Sequence, residues 1–552
     1  MIQYKVELDI LRNGEFNHEL SDITNRVRDS LTFTTGFNNP DQIPTNPSAL
    51  VAPTNLLQLT LDNRDGAFNY ESQGSNGIIG AAFYNLLSQS IMIRFSMTLD
   101  GVTHSYTFYT VSMRTSVGQY GDQIALLTAQ DATPRLQAVR YEPEVEQNKR
   151  TSDAITDFFK NSEIYLPYSS DFFILDISKI NPPIGIASII NPSDTINRVL
   201  YDADTFIDEF LETETGIGVL DYVGDNLRTP VDDKLLLQNG LAYVYDICMG
   251  EAFGRLYFNP RDNKFHFQNR HHDANTNPEL TLTTSDVIAL ATRQSVVSND
   301  VRIFYTPREV GEAETVLFEA QNLPITIGPE SRETIGVQFR NPDNKDNIQS
   351  ALTTIDPVIN TDVIVTSSGG ANITKAAYVG ADLNATGGKI YFRNPTGNDY
   401  TITKLQVRGT PIYQHDQQYA QSTDAESIFF NNHLPLPNIT INYMFEERFA
   451  QSVADYMVRQ YAPMRRIAES VTIMLREDNF IDIMAIDLGD AITITDPDVN
   501  HTNEYIVMGE RHELDIPNGA HRVTFILRSR DVTAYFILDR DILDSNEIIL
   551  GY

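Results

Sequence analysis

MIQYKVELDI, residues 1–10, alternates apolar and polar side chains without a break. Successive side chains of a β-strand point to opposite faces, so a period of two is typical of a half-buried strand. The chain therefore opens as β-structure. The predicted buried face holds Ile2, Tyr4, Val6, Leu8 and Ile10, and the predicted outer face holds Gln3, Lys5, Glu7 and Asp9.

Further strands follow this one at short intervals. Alternation predicts them near 29–35, 56–62, 91–98, 105–113 and 122–129, with Gly, Asn and Pro between them. Short strands separated by turn residues are typical of a β-sandwich or barrel. We therefore predict an N-terminal β domain over residues 1-145.

The pattern of apolar residues changes after this block. Helical spacing of apolar residues appears around Ile155 and Phe158, over 197–214 and over 235–254. A hairpin follows, with strands at 255–258 and 264–268. These signals predict a small α/β domain over 146-270 and returning strands over 271-344.

Two blocks complete the chain. Residues 345-440 have few helix signals and many Gly, Asn and Thr residues, which predicts an inserted β-sandwich. Residues 441-552 open with EERFAQSVADYMVRQYAP, an amphipathic helix with Val453 and Met457 in its apolar stripe. Strands are predicted at 467–475, 490–495, 504–514 and 521–529. The predicted fold class is therefore mainly β with α+β parts, in several domains.

The composition excludes some functions. The chain has 552 residues, with 74 acidic residues against 41 Lys and Arg and a formal net charge of −33. Phosphate binding depends on clustered Lys and Arg, so we expect no surface that grips nucleic acid and no stable membrane association. DNA passing nearby is a different requirement and stays open. The N-terminus lacks a basic and then an apolar region, so synthesis in a cytoplasm without a signal peptide is expected.

Two stretches invite a calcium interpretation. LQLTLDNRDGAFNYES, residues 57–72, places Asp62, Asn63 and Asp65 before Gly66, and DPDVNHTNE, residues 496–504, is rich in oxygen ligands. Neither fits an EF-hand loop: in the first both end positions fail, and in the second His501 stands where glycine belongs. We predict that the first stretch is a structural corner and that the chain holds no metal.

Other residues that could carry chemistry have simpler explanations. The run His271, His272 and Asp273 is predicted as a polar surface turn, because adjacent side chains of an extended segment point apart. His512 and His521 fall on neighbouring predicted strands and are expected to form an exposed pair. Cys248, the single cysteine, lies in an apolar stretch and is expected to be buried and inert. Without a catalytic motif, we predict no enzyme activity, no catalytic residues and no cofactor.

Several stretches together resemble one family, the baseplate hub and distal-tail proteins of long-tailed bacteriophages and prophages. DITNRVRDSLTFTTG (22–36) and LTLDNRDGAF (59–68) resemble its opening. FGRLYFNPRDNKFHFQNR (253–270) and SNDVRIFYTPRE (298–309) are similar to its middle hairpin and following strand. ITKLQVRGTPI (402–412), FAQSVADYMVRQY (449–461), LGDAITITD (488–496) and EYIVMGERHEL (504–514) resemble the close of its inserted domain and its final helix and strands. The order is kept over most of the chain, and 160–235 departs from it.

The resemblance implies a structural virion protein at the tail tip or baseplate, assembled in the host cytoplasm. Its end domains would have the fold of the tail tube, with three copies presenting six such units to a hexameric tube. A homotrimer is favoured, with a hexameric ring as the alternative. The implied partners are the tail tube protein, tip or fibre proteins, the tape-measure protein and DNA in transit only, during genome ejection.

A different class of function stays open. The insertion over 345-440 also suits a receptor-binding tail adhesin that recognises host surface glycans. A secreted glycan hydrolase is a third alternative. Self-assembly into a ring would distinguish the hub from both.

Overall fold

The N-terminal residues form antiparallel strands, as their alternation predicts. In the computed structural model the strands are joined by a 3-10 turn at Thr24–Arg26 and followed by a short helix. The elements of this part are β1 (Gln3–Leu8), β2 (Val27–Gly36), β3 (Leu56–Asp62), β4 (Met92–Leu99), β5 (Val102–Val117), β6 (Gln123–Gln130), α1 (Pro134–Ala138) and β7 (Arg140–Tyr141).

The middle of the chain contains one longer helix and many strands. They are β8 (Phe173–Leu175), β9 (Gln238–Asn239), α2 (Gly240–Gly250), β10 (Arg255–Asn259), β11 (Lys264–Gln268), β12 (Pro278–Thr283), β13 (Ala289–Gln294), β14 (Asp300–Tyr305), β15 (Arg308–Val310), β16 (Thr315–Glu319), β17 (Ile325–Ile327), β18 (Ser331–Gln338), β19 (Ile348–Ile355), β20 (Val363–Ser367), α3 (Thr374–Ala377), β21 (Tyr378–Asn384), β22 (Gly387–Asn394) and β23 (Tyr400–Gln414).

The last part contains the longest helix of the described chain. Its elements are β24 (Gln418–Thr423), α4 (Ala425–Asn431), β25 (Ile439–Thr440), α5 (Glu447–Tyr461), β26 (Arg466–Leu475), α6 (Phe480–Ala485), β27 (Ala491–Asp496), β28 (His501–Asp515) and β29 (Ala520–Ser529). The prediction of a mainly β, multidomain fold is confirmed.

The structure describes most of the chain, and the predicted helix over 197–214 and the run His271–Asp273 lie outside the described residues. Described are residues 2–10, 15–18, 20–38, 50–68, 91–117, 123–138, 140–141, 155, 158–159, 173–175, 238–250, 254–268, 277–339, 348–441, 447–496, 501–515 and 519–530.

The two ends of the chain meet in one twelve-stranded sheet. Its strand order is β1-β4-β5-β6-β3-β2-β28-β29-β26-β13, and β27 joins β12 to β28. The junction is the antiparallel pair β2–β28, in register from Ser30 opposite Asp515 to Gly36 opposite Gly509. A single hydrophobic core lies against this sheet and contains residues from both ends, such as Phe33 and Phe525. The predicted end blocks 1-145 and 441-552 thus share one sheet.

A second core lies beneath helix α5 and the β10–β11 hairpin. Val453 and Met457 of α5 are fully buried there, as the apolar stripe predicts. Strand β14 pairs with β24 and β25 beneath this helix. The hairpin pairs Arg255 to Asn259 with Gln268 to Lys264, which matches the predicted hairpin, and Cys248 is buried in the same core, as predicted.

A third core belongs to the inserted β unit. The fifteen-residue strand β23 pairs along its length with β15, β16, β17, β19 and β20, while β22 pairs with β18 and β21. The strand pairing of this unit also includes strands from Arg308 onward, ahead of residue 345, where the insertion is predicted to start. The reason is that the strands over 308–338 have their hydrogen-bond partners in β22 and β23, a relation between distant segments that alternation does not reveal.

Candidate functional site

The DNRDG stretch forms a structural corner, as predicted. Asp65 accepts two hydrogen bonds from Arg26, at 3.1 and 2.9 Å. Hydrogen bonds from Arg64 lower the pKa of Asp62 to about 2, and Asn63 Oδ1 accepts the amide proton of Phe68 at 2.8 Å. The oxygen atoms that suggested calcium are thus directed at arginines and at the backbone. Within the described residues, no group of three or more His, Cys, Asp or Glu side chains is arranged to hold a metal ion.

The second oxygen-rich stretch is described only at its ends. Asp496 and His501 lie opposite each other in the β27–β28 pair. Glu504 forms an ion pair with Arg530. Residues 497–500, which carry the other oxygen ligands of the predicted loop, lie outside the described residues.

The prediction of an exposed histidine pair is wrong. His512 and His521 do approach each other, with Nδ1 of His512 3.0 Å from Nε2 of His521. They are however 0% and 1% exposed, because this face of β28 and β29 packs against the hydrophobic core of the twelve-stranded sheet. The ring of Phe33 from the N-terminal block stacks on His512 at 4.3 Å between centroids.

These histidines belong to a buried polar cluster, formed by Tyr106, Arg261, Glu510, His512 and His521. Arg261 Nη2 donates to Glu510 Oε1 at 2.6 Å. The Tyr106 hydroxyl donates to Glu510 Oε2 at 3.2 Å, and Nε2 of His512 lies 3.2 Å from the same oxygen. The cluster therefore joins β5, the turn of the β10–β11 hairpin, β28 and β29.

While Glu510 is ionised, the hydrogen bonds of the cluster select one tautomer for each histidine. A neutral imidazole has one donor and one acceptor nitrogen. Since Nε2 of His512 faces a carboxylate, it carries the proton, and Nδ1 then accepts from Nε2 of His521. The remaining nitrogen of His521 faces the Tyr4 hydroxyl at 3.5 Å. The nitrogens of both rings thus have hydrogen-bond partners while both rings are neutral.

Burial controls the electrostatics of the cluster. It lowers the pKa of His512 and of His521 well below their ordinary value, with Arg261 adding to the effect on His512. Burial also raises the pKa of Glu510 to about 7, against the opposing influence of Arg261. Glu510 and Asp487 together raise the pKa of Arg261 despite its burial, so this residue stays charged.

The hairpin is fastened to the C-terminal block by further hydrogen bonds. Asn259 Nδ2 donates to Asp487 Oδ2 at 2.9 Å. Arg261 Nη1 donates to the carbonyl of Met484 at 2.8 Å, and the Tyr257 hydroxyl donates to the carbonyl of Leu488 at 3.0 Å. The cluster and these bonds hold the N-terminal block, the hairpin and the C-terminal block together, which is a structural role.

The histidine pair predicts acid sensitivity. Folding keeps both imidazoles neutral, whereas the unfolded chain takes up their protons below about pH 6.5. The contribution of the histidine pair to the free energy of unfolding is therefore full above this pH and falls as the pH drops. Glu510 opposes this trend, because between about pH 7 and 4.5 the folded chain holds a proton on Glu510 that the unfolded chain does not. We expect His521→Gln to reduce the slope of unfolding free energy between pH 6.5 and 5 by about 1.4 kcal/mol per pH unit.

Chemical denaturation at several pH values measures this slope. Tyr419→Phe, an exposed substitution outside the cluster, is the control and leaves the slope as in the wild type. An unchanged slope in His521→Gln would show that the pair takes up protons in the folded state.

No described helix of the chain is long and apolar enough to cross a membrane. No protein-family model matches the chain, and a search of curated protein sequences finds no match.

Several solved structures are similar to the chain at low identity. A tail protein from Neisseria meningitidis MC58 is 9% identical, with a TM-score of 0.44, and the alignment covers 96% of each chain. The 43 kDa tail protein of prophage MuSo2 from Shewanella oneidensis is 9% identical, with a TM-score of 0.42, over 96% of this chain and 99% of that one. A prophage tail protein from Listeria monocytogenes EGD-e is 9% identical, with a TM-score of 0.37, over 96% and 95%.

Proposed function

We propose that the chain is a structural protein of a phage tail, which assembles into a ring at the distal end of the tail tube. The observation that carries this proposal is the twelve-stranded sheet in which β2 and β28 join the two ends of the chain. The resemblance to hub proteins implies two tube-like β blocks per chain. Side by side in one sheet, they would present a continuous surface to the tube above.

The edges of this sheet also support assembly. The backbone of β1 is covered on its outer side, since the Leu8 amide donates to Ser21 and the Ile23 amide donates to Val6, both at 2.9 Å. At the other end, β13 pairs with β26 alone among the described strands. An open edge strand is a template for pairing with another chain, and natural proteins cover such edges unless they use them. Among the described strands, the edge at β13 is thus available for a neighbour.

The charge of the chain suits passage of DNA. With a net charge of −33, a bore lined by part of this surface would repel the phosphate backbone instead of holding it. We propose DNA as a transient passenger only. The tail tube protein, the tape-measure protein and tip or fibre proteins would be the lasting neighbours, in a virion assembled in the host cytoplasm.

Negative-stain microscopy of the purified full chain tests this function. We expect rings with an open bore, with three subunits favoured and six as the alternative. Single subunits that bind host cells would instead support a glycan-recognising adhesin. Release of sugars from host envelopes by single subunits would support a hydrolase, and either result would overturn the hub proposal.

A further inference from the structure

Five apolar side chains are exposed on three segments that meet at one place. Phe429 and Phe430 of α4 are 82% and 70% exposed. Two phenylalanines exposed to this degree present roughly 300 Å² of apolar surface. The set, called the α4 patch here, consists of Val296, Phe429, Phe430, Leu434 and Met464.

Hydrogen bonds hold these segments together beneath the patch. Asn299 Nδ2 donates to the carbonyl of Asn432 at 2.7 Å, and Asn299 Oδ1 accepts from the Leu434 amide at 2.8 Å. The Ser427 hydroxyl donates to the carbonyl of Ala462 at 2.8 Å, just before Met464. Asp424 caps α4 by accepting the Ser427 amide proton at 2.8 Å. The two phenylalanines are therefore presented from a fixed base, which reduces the entropy lost on binding.

The patch is basic at its rim, although the chain is strongly acidic. Arg465 and Arg466 follow Met464 directly, and both are exposed. Neither guanidinium forms an ion pair within the described residues, whereas Arg293 nearby pairs with Glu469 at 2.5 Å. Glu426 is the exposed carboxylate of α4. Two exposed cations that form no ion pair with the described residues, beside an apolar surface, fit an acidic partner surface that also has an apolar centre.

A surface with these properties exists on the chain itself. Ile481 of α6 is 52% exposed. Three exposed carboxylates, Glu477, Asp478 and Asp482, surround its position in the sequence, against one arginine, Arg476. This second surface is called the Ile481 knob.

The two surfaces lie at opposite ends of β26. That strand begins at Arg466, beside the α4 patch, and ends at Leu475, just before the Ile481 knob. Nine residue steps of a strand span about 30 Å. One copy therefore cannot bring its own patch and knob together, but two copies can.

We infer that the α4 patch of one copy docks onto the Ile481 knob of a second copy of this chain. The inference rests on the proposed ring and names its subunit contact. The contact is head-to-tail, because a patch facing another patch would set Arg465 and Arg466 against their own counterparts. Head-to-tail contacts close into rings when the rotation between copies allows it. The open strand β13 ends two residues before Val296, so it borders the patch and extends the same interface.

Analytical ultracentrifugation of the full chain at moderate salt tests the contact through charge reversal. We expect Arg465→Glu with Arg466→Glu to weaken self-association by about a hundredfold or more. Asp478→Arg with Asp482→Arg is expected to weaken it similarly. The chain with all four substitutions is expected to associate again, because each reversed rim then meets a reversed partner.

The matched control is Arg332→Glu with Arg393→Glu, a reversal of two exposed arginines that face each other on β18 and β22. It should leave association unchanged. Phe429→Ser with Phe430→Ser removes the apolar centre and is expected to give single subunits with unchanged circular dichroism.

The outcomes separate the inference from the proposed function. If the wild type forms rings and the Arg465 and Arg466 reversal forms them equally well, the contact is wrong and the ring stands. If association is lost but the fourfold chain does not recover it, the knob is not the partner surface and the inference is overturned. If the wild type stays a single subunit at every concentration, both fall.

Discussion

Replacement of Arg261 by methionine is expected to destabilise the sheet by about 3–5 kcal/mol, because it leaves Glu510 buried without its cation. Glu510 is 1% exposed and is held by Arg261 at 2.6 Å. Loss of the guanidinium also removes the bond to the Met484 carbonyl. The hairpin would then lose part of its attachment to the C-terminal block.

Hydrogen exchange of β28 and β29 amides measures this effect where it arises. The double substitution Arg261→Met with Glu510→Leu is the first control, and we expect it to recover much of the loss, since no charge is left buried. Arg332→Met, at an exposed site, should change stability by less than about 0.5 kcal/mol. Protection in Arg261→Met equal to the wild type would show that the cluster does not hold the sheet together.

Gly36→Ala is expected to weaken the junction between the two ends of the chain by about 2–5 kcal/mol. Gly36 has a φ of +74°, and a Cβ atom there would meet the carbonyl oxygen of Met508 at 2.3 Å and Gly509 Cα at 3.0 Å. The substitution therefore adds a backbone strain and a collision across the β2–β28 pair. Separation of these strands would divide the large sheet.

Gly101→Ala is the matched control for this variant. Gly101 has a φ of +87° but nothing within 4 Å of an added Cβ. It should show the conformational cost alone, about 1–2 kcal/mol. Thermal unfolding and exchange of the β2 and β28 amides would compare the two. Equal losses in both variants would mean that the close approach at the junction contributes nothing.

Local patterns were enough to predict most of the regular elements. Alternation located β1 and the strands of both ends, and helical spacing located α5, because a period of two or 3.6 residues follows from the geometry of each element. The corner at Asp62–Gly66 was also predictable, since short polar side chains bind nearby backbone groups. These features depend on residues close together in the chain.

The contacts that organise the molecule depend on distant residues. The junction from Ser30 to Gly36 pairs with residues nearly 480 positions later, and alternation does not specify which strand lies beside which. The burial of His512 and His521 follows from this arrangement, so an exposed pair was the wrong expectation. The pair of Arg261 and Glu510 was not predicted, because Arg261 lies between two hairpin strands and Glu510 lies 249 residues later. The exposure of Phe429 and Phe430 was not predicted either, because adjacent apolar residues do not show from the sequence whether they are buried.

Cryo-electron microscopy of the virion that carries this chain would show where its copies lie relative to the tail tube. We predict a closed ring of copies at the distal end of the tail tube, coaxial with it, with the twelve-stranded sheets around the bore. A chain found as isolated subunits away from the tube axis, or bound to a substrate that it converts, would rule out the proposed ring.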